Sequence, residues 1–255
     1  VRHAAVIVAV AACGRIDFGG AASIDAQTIA DAAVAGADAA TDVVLVSDDF
    51  GRSVGSAWGN ADIGGAWDVF IRNSSATVSV GSGHGNATLT TAVGYADFHV
   101  VSATALDTET RAIVSFDQLP TTGFYTAAVS ARWVADGIDY RLHVDVSAGG
   151  ALDVLVESGS AAGYATIQTA MTPIVATAGA GLAMSLVALG ATPTTLCGKL
   201  WLSATSEPSA CTITAQDSTA ALQVPGISYL IAYDTNGAPP TVSFATFRYL
   251  RVGSE

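Results

Sequence analysis

The apolar and polar positions of the central and C-terminal chain alternate with a period of two, not 3.6. "TRAIVSFD" (110–117), "FYTAAVSARW" (124–133), "IDYRLHVDVS" (138–147), "ALDVLVE" (151–157), "TLCGKLWLS" (195–203), "ISYLIAY" (227–233) and "TVSFATFRYLRV" (241–252) each read as a strand bounded by Gly, Pro, Asp or Asn. Roughly fourteen such runs are visible. Glycines interrupt "IVATAGAGLAMSLVALG", which predicts a loop followed by a buried strand rather than a helix. Asp136-Gly137, between two alternating runs, predicts a hairpin turn of type I′. Many short strands with Gly-rich turns and no amphipathic helix predict an all-β antiparallel sandwich or barrel.

The N-terminal pattern is different. "AAVIVAVAA" (4–12) is continuously apolar, too short to span a bilayer and of the length of a secretory h-region. With Arg2 and His3 ahead of it, residues 1–12 predict a signal peptide. Val10-Ala11-Ala12-Cys13 resembles a bacterial lipobox, which implies cleavage before Cys13, lipidation of its thiol, and export to the bacterial cell envelope with a membrane partner reached through lipid. The alternative is a buried free cysteine on a short apolar element. Residues 13–43 are Ala, Gly, Ser and Thr punctuated by aspartates, with almost no large side chains to bury, and predict a flexible acidic tether.

Composition narrows the remaining 44–255 to one large β domain. The chain is 51% hydrophobic and only 13% charged, with 26 glycines and no second polar linker in its middle. A net charge of −12 with only 10 Lys and Arg excludes a nucleic-acid surface, which needs clustered cations against phosphate.

The stretch "SDDFGRSVGSAWGNADIGGAWDV" (47–69) resembles the opening of a jelly-roll module of secreted bacterial and phage tail proteins. "SARWVADGIDYRLHVDV", "KLWLSATSEPSACTITAQDST" and "VSFATFRYLRV" match its later pieces, with Cys211 standing where the module often carries an aromatic residue. The resemblance implies a two-sheet antiparallel jelly-roll sandwich, concanavalin A-like, of the lectin and glucanase (laminin G-like) superfamily. It implies carbohydrate or surface-ligand binding without catalysis. The alternatives are a polysaccharide-degrading enzyme, hydrolase or lyase, of the same superfamily, or a structural envelope component with no small ligand. The Glu-x-Asp-x-x-Glu strand of the superfamily's glucanases does not occur here.

The candidate chemistry is sparse. Cys197 and Cys211 flank a probable hairpin at Glu207-Pro208 and, in an exported domain, are expected to form a disulfide; two buried thiols are the alternative. In "DYRLHVDVS", alternation sends Tyr140, Leu142, Val144 and Val146 to one face and Arg141, His143 and Asp145 to the other, with Arg132 near the same hairpin end. That set suits a uronate carboxylate or lyase chemistry; a solvated outer face with an Arg–Asp pair is the competing reading. Trp133 and Trp201, near strand ends, are candidate sugar platforms, whereas Trp67 alternates with Val69 and Ile71 and is expected in the core. Asp48, Asp49 and Asp217 are candidate calcium ligands or else turn caps, and no other cofactor or zinc spacing is present, since His84, His99 and His143 are isolated.

Overall fold

The structure is a computed structural model that describes residues 42–72, 76–89, 94–100, 102–235 and 240–253. Cys13, the signal peptide and the tether lie outside the described residues. No described helix is long and apolar enough to cross a membrane.

Two antiparallel sheets carry the fold. The first runs β13 (Ile213–Asp217), β12 (Thr194–Leu202), β11 (Leu182–Leu189), β6 (Thr108–Phe116), β15 (Thr241–Arg251), β4 (His84–Leu89), β3 (Ala76–Gly81). The long β15 serves two partners on one edge: residues 241–244 pair with β4, and residues 247–251 pair with β1 (Val43–Asp48). The second sheet runs β10 (Gly163–Val175), β9 (Ala151–Ser160), β8 (Ile138–Ser147), β7 (Phe124–Ala135), β14 (Tyr229–Asp234), β5 (Gly94–Val100), β2 (Trp67–Arg72). At the centre of each sheet the neighbours are distant in sequence, as in β11–β6–β15–β4 and β7–β14–β5, the strand-crossing pattern of a jelly roll.

Alternation places the core between the sheets. Leu142, Val144 and Val146 of β8 meet Leu186, Leu196 and Val242 of the facing sheet, all buried in one cluster. The 47–69 stretch plugs one end of it. Trp58 stacks on Phe98 at 3.9 Å and meets Trp67 edge-on at 5.1 Å, so both tryptophans are core. Asp48, buried beneath them, accepts from Nη1 and Nη2 of Arg52 and from the Trp67 indole N–H, which fixes the loop after β1.

Two turns show how backbone chirality chooses residues. Ser82 and Gly83 both take positive φ, 55° and 74°, the geometry of a type I′ turn between β3 and β4. At Asp136-Gly137 only Gly137 does, with φ 73°, so that hairpin is not of type I′. Its strands have already been offset by a register shift between Ala131 and Ala135, which changes the twist the turn must match. The Cys197–Cys211 disulfide is formed, with Cα atoms 5.5 Å apart. The β12–β13 ladder ends at Gly198↔Ile213, and Cys211 reaches Cys197 because its chain leaves that ladder.

Candidate functional site

The outer face of the seven-stranded sheet carries the site. On β8 the inward residues are Tyr140, Leu142, Val144 and Val146, and Asp139, Arg141, His143 and Asp145 point the other way. Register then brings residues of the six other strands onto that face, with Glu157 of β9 opposite Arg141. Tyr229, Ile231 and Tyr233 of β14 lie opposite His99, Asp97 and Tyr95 of β5, and Phe70 and Arg72 of β2 lie opposite Asp97 and Tyr95. Ala128 and Thr126 of β7 lie opposite His143 and Asp145. From β10, Tyr164 reaches over the sheet because its partner across the ladder is Gly159. A Cβ on Gly159 would come within 2.8 Å of the Tyr164 ring and 2.2 Å of the Gly137 carbonyl, so no larger residue fits beneath them.

These side chains enclose a groove of two connected lobes along the β7–β8 direction. The lobe at the β7–β8 turn has a volume of about 380 Å³ and is lined by Trp133, Tyr229, Asp97, Arg72 and Asp136. The second, of about 220 Å³, is lined by His143, Glu157, Thr126 and Ile231. Tyr95, Tyr164, Tyr233 and Arg141 border both.

The floor is a dry, charged network rather than a solvated face. Arg141 is 9% exposed and Asp139 is fully buried. Arg141 Nε donates to Asp139 at 3.0 Å, and its Nη2 donates to the hydroxyls of Tyr229 and Tyr164. Both tyrosines pass the bond on, Tyr164 donating to Asp139 Oδ1 at 2.5 Å and Tyr229 to Oδ2 at 3.0 Å. Burial pushes the hydroxyls of Tyr95, Tyr164 and Tyr229 above the ordinary phenol range, so they remain donors at neutral pH. The acid partner of Arg141 is therefore Asp139, and Asp145 belongs to His143.

Although burial disfavours a charged imidazole, hydrogen bonds from Nε2 to Asp145 at 2.8 Å and from Nδ1 to Glu157 at 3.1 Å outweigh it and raise His143 to about 9. Burial pushes Glu157 up, but the bond from His143 and its charge hold it below the usual carboxylate range. A histidine whose pKa is higher folded than unfolded stabilises the fold fully below its unfolded value, near 6.5, and loses that contribution as pH rises through 9. Wild type is expected to lose about 2–3 kcal/mol between those limits, read as a falling melting temperature, and His143→Gln to show no such slope.

Several residues read from the sequence lie elsewhere. Arg132 is not on the groove: it is fully buried between the sheets, where it donates to the carbonyls of Leu106, Gly190 and Leu222 and to Thr194. Trp133 is half-buried on the groove wall, whereas Trp201 lies on the eight-stranded sheet beside Arg111 and Arg248. The candidate calcium ligands do not gather as a set. Asp48 and Asp49 lie with Asp62 in a cluster of oxygens within 4.8 Å, but Asp217 instead accepts the Tyr140 hydroxyl and caps Thr219. Both Asp48 oxygens already serve Arg52 and Trp67, and Asp49 and Asp62 accept backbone N–H groups. The Arg52 guanidinium already neutralises Asp48, and the cluster as a whole allows calcium only weakly.

Fold and groove together define an all-β, two-sheet antiparallel jelly-roll sandwich of the concanavalin A-like kind. The chain is similar to the CBM2 module of the evolved Dit of Lactobacillus casei BL23 phage J-1, with a TM-score of 0.54 and 8% identity over 84% of this chain and 99% of that one. It is similar to the exoplasmic/lumenal domain of VIP36 in its Ca2+/Man3GlcNAc-bound form, with a TM-score of 0.52 and 8% identity over 74% and 84%. It is also similar to SCLam, a non-specific endo-β-1,3(4)-glucanase of family GH16, with a TM-score of 0.53 and 9% identity over 83% and 91%. No family model and no curated protein matches the sequence. Identities this low establish the fold alone.

Proposed function

We propose that this protein is an exported lipoprotein, anchored through Cys13 at the cell envelope, whose sandwich binds carbohydrate in the groove without catalysis. The observation that carries the binding is the groove itself: aromatic walls from Trp133, Tyr95 and Tyr233 over a floor of fixed hydrogen-bonding groups. Its VIP36 neighbour, solved with Man3GlcNAc, supports the reading by analogy of fold. Binding rather than hydrolysis is favoured by how the acids are used. Asp139 is enclosed by three donors, and Glu157 and Asp145 are tied to a protonated His143, which leaves them poorly placed to exchange protons with a substrate.

A glycan-array screen of the full chain tests this. Trp133→Ala is expected to weaken the bound glycan about tenfold or more, from roughly 1.5–3 kcal/mol of lost aromatic burial, and Trp201→Ala, on the other sheet, to leave it unchanged. Affinity is expected to be the same with calcium or with a chelator. Absence of binding to every glycan, or equal loss in both variants, sinks the proposal.

A further inference from the structure

We propose that the groove selects neutral, hydroxyl-rich glycans, holding two adjacent hydroxyls of one ring between Asp97 and Arg141; this rests on the carbohydrate-binding reading and specifies its ligand. Asp97 is 2% exposed and lines the larger lobe. Its Oδ2 faces Arg72 Nε at 3.3 Å, but Oδ1 is buried with no hydrogen-bond partner among the described residues. A buried carboxylate oxygen without a donor is costly, so the site is incomplete until something donates to it. Arg141 lines the same lobe and spends Nε and Nη2 on Asp139, Tyr164 and Tyr229; among the described residues Nη1 makes no hydrogen bond.

The lobe therefore offers a carboxylate oxygen that accepts and a guanidinium N–H that donates. A pair of neighbouring hydroxyls satisfies both, because each hydroxyl donates and accepts. A uronate carboxylate would serve Arg141 but bring a like charge, and no proton, to Asp97. The ammonium of an amino sugar would serve Asp97 but meet the guanidiniums of Arg72 and Arg141. Trp133, half-buried on the groove wall, then faces the ring's C–H surface.

Calorimetric titration of the full chain with neutral β-glucan, mannan and galactan hexasaccharides, an oligogalacturonate hexamer and a chitosan hexamer decides the matter. At least one neutral hexamer is expected to bind about tenfold or more tighter than either charged one, with little change between low and high salt. Asp97→Asn is expected to weaken the neutral ligand and to narrow its advantage over the uronate, since the repelling charge is gone. The wild-type comparison stands without that variant should the variant fail to fold. Tighter binding of the uronate or chitosan hexamer overturns the inference while leaving carbohydrate binding intact; no binding to any sugar overturns both.

Discussion

Replacing Arg132 with methionine is expected to cost about 3–5 kcal/mol of stability and to lower the melting temperature by roughly 10 °C or more. Methionine fills similar space, so the loss comes from hydrogen bonds rather than from a cavity. The guanidinium donates at 2.7 Å to Leu106 O, 2.6 Å to Gly190 O, 3.1 Å to Leu222 O and 2.6 Å to Thr194 Oγ1. It thereby ties the start of β6, the turn before β12 and the short helical turn Ala220–Leu222 to the end of β7. Burial pulls its pKa down, while Tyr140 and Asp107, whose carboxylate lies 3.9 Å away, pull it back; an arginine stays charged throughout. Without it, three carbonyls between the sheets lose their donor, each a cost of about 1–3 kcal/mol if water does not reach it. Thermal and urea melts followed by near-UV circular dichroism check this. A loss below about 1 kcal/mol would mean that those carbonyls are hydrated.

The same residue shows where local pattern stops being legible. Alternation along β7 puts Thr126, Ala128 and Ser130 on the outer face, so Arg132 reads as the next outer position. The chain breaks register between Ala131 and Ala135, and Arg132 takes φ 54°. That bulge reverses parity, turning Arg132 inward and Trp133 out to the groove. On β8, with no bulge, the alternation correctly separates Arg141, His143 and Asp145 from the core. What surrounds them is another matter. Tyr95, Tyr229 and Tyr233 come from β5 and β14, brought onto that face by pairings that no local window contains, whereas Tyr164 arrives through the local β9–β10 hairpin. The period-two runs Tyr95, Asp97, His99 and Tyr229, Ile231, Tyr233 did carry a trace of the site, as aromatic and charged residues repeated on one face. The Asp48–Arg52–Trp67 bonds gave no such trace, because they depend on loop geometry rather than on period.

Asp139→Asn is expected to lose about 3–5 kcal/mol of stability and, separately, the glycan affinity of the groove. The substitution keeps the shape of the side chain, but its single amide oxygen can accept from Tyr164 or from Tyr229 and not from both, since in the carboxylate they use different oxygens. It also removes the only anion that, among the described residues, lies within hydrogen-bond distance of the buried Arg141. Burial disfavours the Arg141 charge and Asp139 restores it, so the wild-type guanidinium is held firmly as a cation. In the variant that charge stays buried without a counterion, and the new amide N–H₂ competes with Arg141 as a second donor. Tyr164, whose ring lies 3.7 Å from the guanidinium carbon, loses the fixed geometry that makes it a groove wall. A double variant, Asp139→Asn with Arg141→Gln, separates the two roles. Neutralising both partners is expected to recover about 2 kcal/mol or more relative to the sum of the single losses, because a neutral pair is far cheaper to bury than one unpaired ion. Glycan binding is expected to remain absent, since Arg141 also donates to the ligand. Recovery of binding along with stability would mean that Arg141 only positions the tyrosines.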